Sequence, residues 1–583
     1  MKKICLGSIA LVSSLFGLEF GGMGNISAGM GGAGVALKNS QWAIYYNPAL
    51  LAVNKKSGFA YSFGVGYKET NLSAIAGIDF NNLEQMPNKI NGLFNGTTTR
   101  SVGTTRVRRS TGAKATPLVG GAMGDVLANL VGKTNGSATD DDLKTYIGTV
   151  AKNNNITVDT SKGVDEIVQD IQKNPQGNAA FDEIKQGLQA SIDKTKAQNP
   201  NDESLGLLGT IVDNLTPENV GGLLEIAGKG NGNMDLGVIL SKMGGITLST
   251  SSDPSLNQFL KDVGIINDVL HRNDFSIATQ NGLVINIGSK NTKRGTISVA
   301  IMPSAFVSAT ARIDNTHNRI IIDAGSSNYA EVSVGSGSVT IKKSDKATFD
   351  SSSLLSDQAN HALNVSSVTI AEVPVGYGHL FETKIGNFAV GGAVKYIFGL
   401  GYAMNAQGGF NNLTSNINVN AKDIQQTRTF GIDLGFLYQP RFTKNFSIGL
   451  VAKNLNAPKI KTNMQRVTLN PQVRAGLSYT FLSDKIVLAL DADLLPNDTL
   501  SIARPKSQVV GGGLLFDFKW VDLRLGSMYD FRNNSNEGMI LTAGINILGF
   551  LDVAVQSNLH MASFEGISLP SYFNVKLGGS FSW

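Results

Sequence analysis

Cysteine is all but absent: of 583 residues only Cys5 carries a thiol, and it lies in the N-terminal apolar segment. With that segment removed, disulfides, thiolate metal sites and cysteine nucleophiles are excluded. Histidine is scarce as well. His271, His317, His361, His379 and His560 show none of the paired spacings by which zinc ligands share a helical turn or a strand face. No metal, no cofactor and no catalytic set is therefore expected, and the chain is not read as an enzyme. Charged residues make up 16%, below the ~25% usual for soluble domains. The 50 Lys and Arg against 45 Asp and Glu are dispersed without a basic stripe, which removes nucleic acid from the partners. Long apolar runs are missing too. Beyond the N-terminus the one strongly apolar, charge-free stretch of spanning length, 20–37, is riddled with glycine, so membrane-spanning helices are excluded.

What is present begins with an address. Lys2 and Lys3 precede an uncharged apolar stretch, 4–16, the pattern of a secretory signal, with cleavage expected near Gly17. An exported chain without a later spanning helix and with 66 glycines is either soluble in the envelope or a transmembrane β-barrel. Strand periodicity decides between the two. Across 430–438, Phe430, Ile432, Leu434, Phe436 and Tyr438 share one face, while Gly431, Asp433 and Gly435 share the other. The pattern recurs over 446–453, 473–481, 486–493, 510–518, 523–529 and 541–547, with tight turns between. Upstream, Phe59, Tyr61, Phe63, Val65 and Tyr67 mark a first strand, and 388–398 marks another. The segment 296–311 reads as a strand with a kink or bulge at Pro303, because proline cannot donate to a ladder. A soluble sandwich would also alternate. Small residues and isolated charges of both signs on the second face instead suit a wet lumen, and aromatics near strand ends suit membrane-interface girdles. The last segment alternates up to the terminal Trp583, which resembles the signal by which outer-membrane barrels are recognised by the assembly machinery.

The run Glu19-Phe20, then 29–36 (GMGGAGVA), then Tyr45-Tyr46-Asn47-Pro48-Ala49-Leu50-Leu51 resembles the mature N-terminus of the FadL/TodX family of outer-membrane transporters. The glycine-rich start, the Asn-Pro-Ala segment and hairpins such as 449–455 and 523–526 are also similar to the TraF-like conjugal-transfer group. The resemblance covers 18–68 and 296–583. It implies an all-β transmembrane antiparallel β-barrel of about 14 strands in the outer membrane, with an N-terminal plug, or hatch, carrying Asn47, Pro48 and Ala49. It further implies a channel for long-chain fatty acids or other hydrophobic compounds, gated by the hatch, with lipid or a hydrophobic small molecule as ligand and outer-membrane lipids around the wall. The alternatives are a TraF-like envelope protein of a conjugation or assembly system, or a surface adhesin. Gly29, Gly31 and Gly34 also satisfy GxGxxG, but the preceding strand, following helix and later acidic residue of a dinucleotide fold are missing.

Between 104 and 281 the apolar period shifts to about 3.6: Val164, Ile167, Val168 and Ile171 share a helical face, as do Ile184, Leu188 and Ile192. Thr216-Pro217-Glu218 looks like a helix start. The expected division is a signal over 1–17, a hatch over 18–54, first strand and loop over 55–103, a mainly helical extramembrane insertion over 104–281, and barrel strands over 282–583. Arg106, Arg108 and Arg109 belong to the insertion, and 314–367 is read as a second loop with strand-like pieces. By parity Lys395, Lys453, Arg474, Arg524 and Lys576 face the lumen, where they are candidate cations for a carboxylate ligand. Asp491 and Asp493 share a strand face and are read as a solvated lumen pair.

Overall fold

The computed structural model describes residues 19–583 apart from positions 39, 55, 75–77, 95–120, 134–137, 201, 203, 229–235, 251–253, 290–293, 326, 336, 410–419, 444, 483–484, 533–537 and 565–566. The expected signal over 1–17 and Arg106, Arg108 and Arg109 lie outside the described residues. Fourteen antiparallel strands form one closed barrel. They are β1 (Gly58–Thr70), β2 (Asp274–Gln280 and, past Asn281, Gly282–Ile287), β3 (Arg294–Arg312), β4 (His361–Glu382), β5 (Gly386–Gly408), β6 (Gln425–Pro440) and β7 (Phe446–Lys453), followed by β8 (Gln472–Phe481), β9 (Ile486–Asp493), β10 (Val509–Asp517), β11 (Val521–Asp530), β12 (Met539–Ile547), β13 (Leu551–Asn558) and β14 (Tyr572–Ser582). The ring closes where β14 pairs with β1, from Gly58 opposite Ser582 to Lys68 opposite Tyr572. Closure removes the free sheet edges that a bilayer cannot satisfy.

Alternation sorts the side chains as the period-2 rule requires. Phe63, Val65, Ile285, Val299, Val375, Val394, Phe430, Leu434, Leu525 and Leu577 point outward and are each exposed by more than a third. A soluble sandwich would bury one such face, whereas a barrel in lipid presents it all round. At one end the connections are short: 383–385, 441–445, 482–485, 518–520 and 548–550. Aromatic side chains cluster there, with Phe388 stacked on Tyr438 at 4.7 Å and Tyr479 against Phe481 at 4.6 Å. At the other end, the mouth, the connections run over 71–273, 313–360, 409–424, 454–471, 494–508, 531–538 and 559–571.

Pro303 does not kink its own strand. The register of β3 with β4 is constant through Pro303 opposite Ala371, and the irregularity falls between Arg294 and Ile297. The break lies instead in the neighbour: Asn281 sits where Pro303 has no N–H to give, so β2 divides there while the Asn281 amide still donates to the Pro303 carbonyl at 3.0 Å.

The helices outside the barrel begin at Phe80–Phe94, ahead of residue 104, and end with Pro254–His271; β2 starts at Asp274. Val164, Ile167, Val168 and Ile171 are buried on one face of Val164–Gln172, and Pro217 opens the helix Pro217–Gly228. The second loop is part of the same body. Short strands Ile320–Asp323, Tyr329–Gly335 and Ser338–Ser344 form a sheet with Ile246–Ser249, and Ile322, Val332 and Ile341 join the helices in one apolar core with Phe181, Leu208 and Phe259. None of these helices is long and apolar enough to cross a membrane.

Candidate functional site

The lumen is occupied by residues 19–54. The segment folds as a short helix α1 (Asn25–Gly29), a second one α2 (Ala43–Tyr46) and a 3-10 turn (Pro48–Ala52), and nearly every side chain in it is buried. So little regular structure can fill a barrel because the wall is shaped to receive it. Gly378 pairs with Gly391 and Gly391 with Gly435; Gly449 pairs with Gly476; Gly513 pairs with Gly526; Gly578 pairs with Ser62, and Ser62 with Gly282. These positions form a girdle of missing side chains across the inner wall, and hatch backbone lies directly on it. A Cβ at Gly391 would stand 2.2 Å from the Pro48 carbonyl carbon, and one at Gly511 2.0 Å from the Gly31 carbonyl oxygen. Gly31 adds a second requirement, since its φ of 66° is one that side-chain-bearing residues rarely adopt.

The Asn-Pro-Ala segment acquires a physical meaning here. Asn47 caps the 3-10 turn, its Oδ1 accepting from the Ala49 amide at 3.0 Å, and Pro48 supplies the fixed φ of the first turn position. The two protons of the Asn47 amide go separately to the Val35 carbonyl at 2.9 Å and the Phe436 carbonyl of β6 at 3.0 Å. One side chain thus ties the turn, the glycine-rich run and the wall together. Asp491 holds the same run: its Oδ2 accepts from the Gly34 and Val35 amides at 2.8 and 3.0 Å. Around the ring, Asn25 donates to the Asp552 carbonyl (2.6 Å), Gln556 to Ala28 (2.8 Å), Ser478 to Ala36 (2.7 Å) and Asn286 to Gln41 (2.9 Å). The absence of Asp and Glu from 20–68 fits this division: the wall contributes the carboxylate and the hatch contributes backbone amides.

All five candidate cations face inward and are buried, and most are already engaged. Glu372, Lys395, Asp433, Lys453, Arg474 and Asp493, one from each of β4 to β9, form a charged band on the mouth side of the hatch. Lys395 lies 2.9 Å from Glu372 and 3.1 Å from Asp433, Arg474 lies 2.6 Å from Asp493, and Arg524 lies 2.6 Å from Asp552. Lys453 points at hatch aromatics, 3.4 Å from the Tyr45 ring centre and 4.6 Å from that of Phe20, while Arg474 covers Phe20 at 4.1 Å. Such cation–ring contacts strengthen where water is excluded. Lys576 donates to the Gln280 carbonyl at 3.4 Å. Among the described residues no carboxylate lies within ion-pair distance of Lys453 or Lys576.

Two expectations change. Asp491 and Asp493 are not a solvated pair; both are buried, one on the hatch and the other on Arg474. Nor is the lumen a wet bore. Between hatch and mouth lies a cavity of about 70 Å³ lined by Glu19, Phe20, Lys68, Arg474, Asp493 and Tyr572, among others, which holds a few waters and falls well short of the ~300 Å³ at which small-molecule sites begin.

Sequence parity found the cations but not their partners, nor Asp491 as the hatch anchor. The pairing partners depend on register between strands, which alternation within a strand does not encode.

The family described as "F plasmid transfer operon, TraF, protein" matches residues 44–493. The chain belongs to this family. No curated protein matches. Among solved structures the chain is similar to a deletion mutant of the monoaromatic hydrocarbon channel TodX, at 9% identity over 96% of this chain and 98% of that one, with a TM-score of 0.37. It is also similar to a mutant porin of Rh. blastica at 11% identity, covering 53% of this chain and 90% of the porin with a TM-score of 0.20. This TraF-family barrel carries its hatch on a glycine-lined wall beneath a band of buried charges.

Proposed function

We propose that the protein is an outer-membrane channel held shut by its own N-terminal hatch, with the short-turn end toward the periplasm and the long loops outside. The glycine girdle carries this reading. A barrel that needed only a filled interior would interdigitate its own side chains, as narrow barrels do; this wall is stripped at the height of the hatch, so departure of 19–54 leaves a bore. The aromatic and cationic surface that Phe20, Tyr45, Lys453 and Arg474 present toward the mouth suits a hydrophobic compound with an acidic head, such as a long-chain fatty acid. Lys453 and Lys576 are the cations to which an incoming carboxylate would turn, because Lys395, Arg474 and Arg524 already hold acidic partners. The small cavity requires the hatch to shift before such a molecule passes.

The second reading, an envelope protein of a conjugation or assembly system, is favoured by the plasmid-transfer family and by the charge-filled lumen, with the extra-barrel body as its partner surface. Uptake of a labelled long-chain fatty acid by deletion cells separates the two. Under the channel reading uptake falls on deletion and is restored by the intact gene but not by one carrying Lys453→Met and Lys576→Met. Unchanged uptake, with the protein present in the outer membrane and plasmid-transfer frequency reduced, would replace it with the second reading.

A further inference from the structure

The connection 494–508 departs from β9 and returns at β10, yet its contacts are on the far side of the barrel. In a ring of fourteen, β9 and β2 are seven positions apart, diametrically opposed. Arg504 nevertheless reaches Asp274 at the start of β2, with Nε at 2.8 Å and Nη2 at 2.7 Å from Oδ2, and Nη2 also donates to Ser276 at 3.2 Å. Ser501 donates to Asp274 Oδ1 at 2.5 Å, and Ser308 and Thr310 of β3 each donate to it at 3.2 Å. Arg504, Asp274 and Ser501 are all buried. Leu500 packs against an apolar cluster made of Phe306, Ile370 and Ile397 of the inner wall with Ile460 and Leu469 of the neighbouring connection 454–471. The loop therefore spans the mouth as a strap and is fastened at its far end by a buried, charge-assisted contact in which Nε and Nη2 of Arg504 converge on one carboxylate oxygen while Ser501 holds the other.

The near end is fastened to the hatch. Asp493, at the foot of the strap, accepts from the Asn497 side chain and from the Val509 amide, each at 2.9 Å, which brings both feet of the strap onto one carboxylate. Its other oxygen accepts from Arg474 Nε at 2.6 Å, and the Arg474 guanidinium lies over Phe20 of the hatch. A continuous chain of contacts thus runs from Phe20 through Arg474 and Asp493 to the strap, and through Arg504 to Asp274 on the opposite wall.

We propose that residues 494–508 are an outer gate, latched by Arg504 on Asp274, and that Asp493 couples this gate to the hatch so that loosening one loosens the other. The cavity bounded by Phe20 of the hatch and by Asp493 and Val509, which flank the two feet of the strap, is then the chamber of a passage closed at two levels. The inference rests on the barrel being a passage, whatever its cargo.

The test uses the full-length protein in intact cells, in a Cys5→Ser background, with a membrane-impermeant maleimide. Labelling is followed at Met528→Cys, which lines the chamber, and separately at Ser501→Cys on the strap; heat-dependent gel mobility reports that the barrel is folded. Asp274→Asn or Arg504→Met is expected to speed labelling at Met528→Cys about tenfold or more, whereas Asp498→Asn, which removes the ion pair with Lys506 on the same strap but keeps an acceptor oxygen for Asn470, leaves it unchanged. Gly435→Leu, which displaces the hatch from below, is expected to speed labelling at Ser501→Cys, since coupling between two sites is reciprocal. Folded barrels with unchanged labelling in either measurement overturn the proposal. If Gly435→Leu also fails to raise ion conductance in planar bilayers, the reading of the barrel as a passage falls as well; raised conductance with unchanged strap labelling discards the coupled gate alone.

Discussion

The hatch and the extra-barrel body are both enclosed parts of the molecule, but they are held by different mixtures of forces. The body is bound by oil: Phe181, Leu208, Ile211, Leu223 and Phe259 sit at or near zero exposure in a single apolar cluster. The hatch shares a smaller apolar cluster with the wall, where Tyr46, Leu50 and Leu51 meet Val284, Met302, Leu437 and Val451, and to this it adds backbone laid on glycine and point hydrogen bonds that involve Asn25, Asn47, Ser478, Asp491 and Gln556. Apolar burial is non-directional and lost only when the core opens. Hydrogen bonds exchange readily with water once water arrives, at a net value of about 1 kcal/mol each. A segment held partly in the second way leaves its seat at lower cost than one held by apolar burial alone.

The largest expected effect breaks the oil side. Phe181→Ala empties a core position on the helix Gly177–Gln198 and should cost the body about 3–5 kcal/mol. Limited proteolysis would show 71–273 becoming labile while the barrel keeps its heat-resistant mobility. Loss of both together would mean that body and barrel fold as one unit and that the contrast is false.

Next comes the seat. Gly391→Val places a side chain where the Pro48 carbonyl now lies, an overpacking of about 1–3 kcal/mol or more. Because backbone on both sides resists, the hatch rather than the wall should yield. Higher conductance in planar bilayers with unchanged barrel stability is the expected outcome; an unfolded barrel would show the hatch to be integral core. A smaller effect isolates one fastening. Asp491→Ala strands two buried amides, at about 1–3 kcal/mol, and faster hydrogen exchange confined to Gly34, Val35 and their neighbours would confirm that the hatch is released piecewise. Asp491→Asn, which keeps an acceptor oxygen, should do less.

How legible these two regions were in the sequence follows from the same physics. Parity placed Phe430 outward and Asp433 inward because lipid and lumen differ sharply there, and the 3.6 period of Val164 to Ile171 was equally plain because oil lies on one side of that helix. It failed along β4, where Val368 and Ile370 face inward yet are apolar, since the strap and the connection 454–471 cover them and the two faces no longer contrast. It failed at Asp274, which looks like the polar end of a helical insertion until Arg504, 230 residues away, is seen to seek it. The Asn-Pro-Ala segment announced a special place in the fold; that Asn47 divides its amide protons between hatch and wall needed coordinates. The polar strand-like pieces of 314–367 gave no sign of joining the helical core, because each contributes only two or three apolar residues to it.

The gentlest prediction concerns the hinge where β3 leaves the barrel wall for the extra-barrel body. Asp314, just beyond β3, accepts from the Thr316 hydroxyl at 2.7 Å, the Thr316 and Asn360 amides at 3.0 Å each and His317 at 3.1 Å, and these donors hold its carboxyl well below the usual carboxylate range. A carboxyl whose folded value is depressed contributes stability that is fully present above its unfolded value, about 3.9, and is lost as pH falls below it toward the folded value. Asp314→Asn should therefore lower the melting temperature of the extra-barrel body at neutral pH by the equivalent of about 1 kcal/mol and flatten the loss of stability expected of the native protein below about pH 4. The conductance of the barrel should not change. If acid-dependent melting were the same in both proteins, Asp314 would be solvated in the folded state, and the hinge would draw its order from the apolar core on one side and the ladder of β3 and β4 on the other.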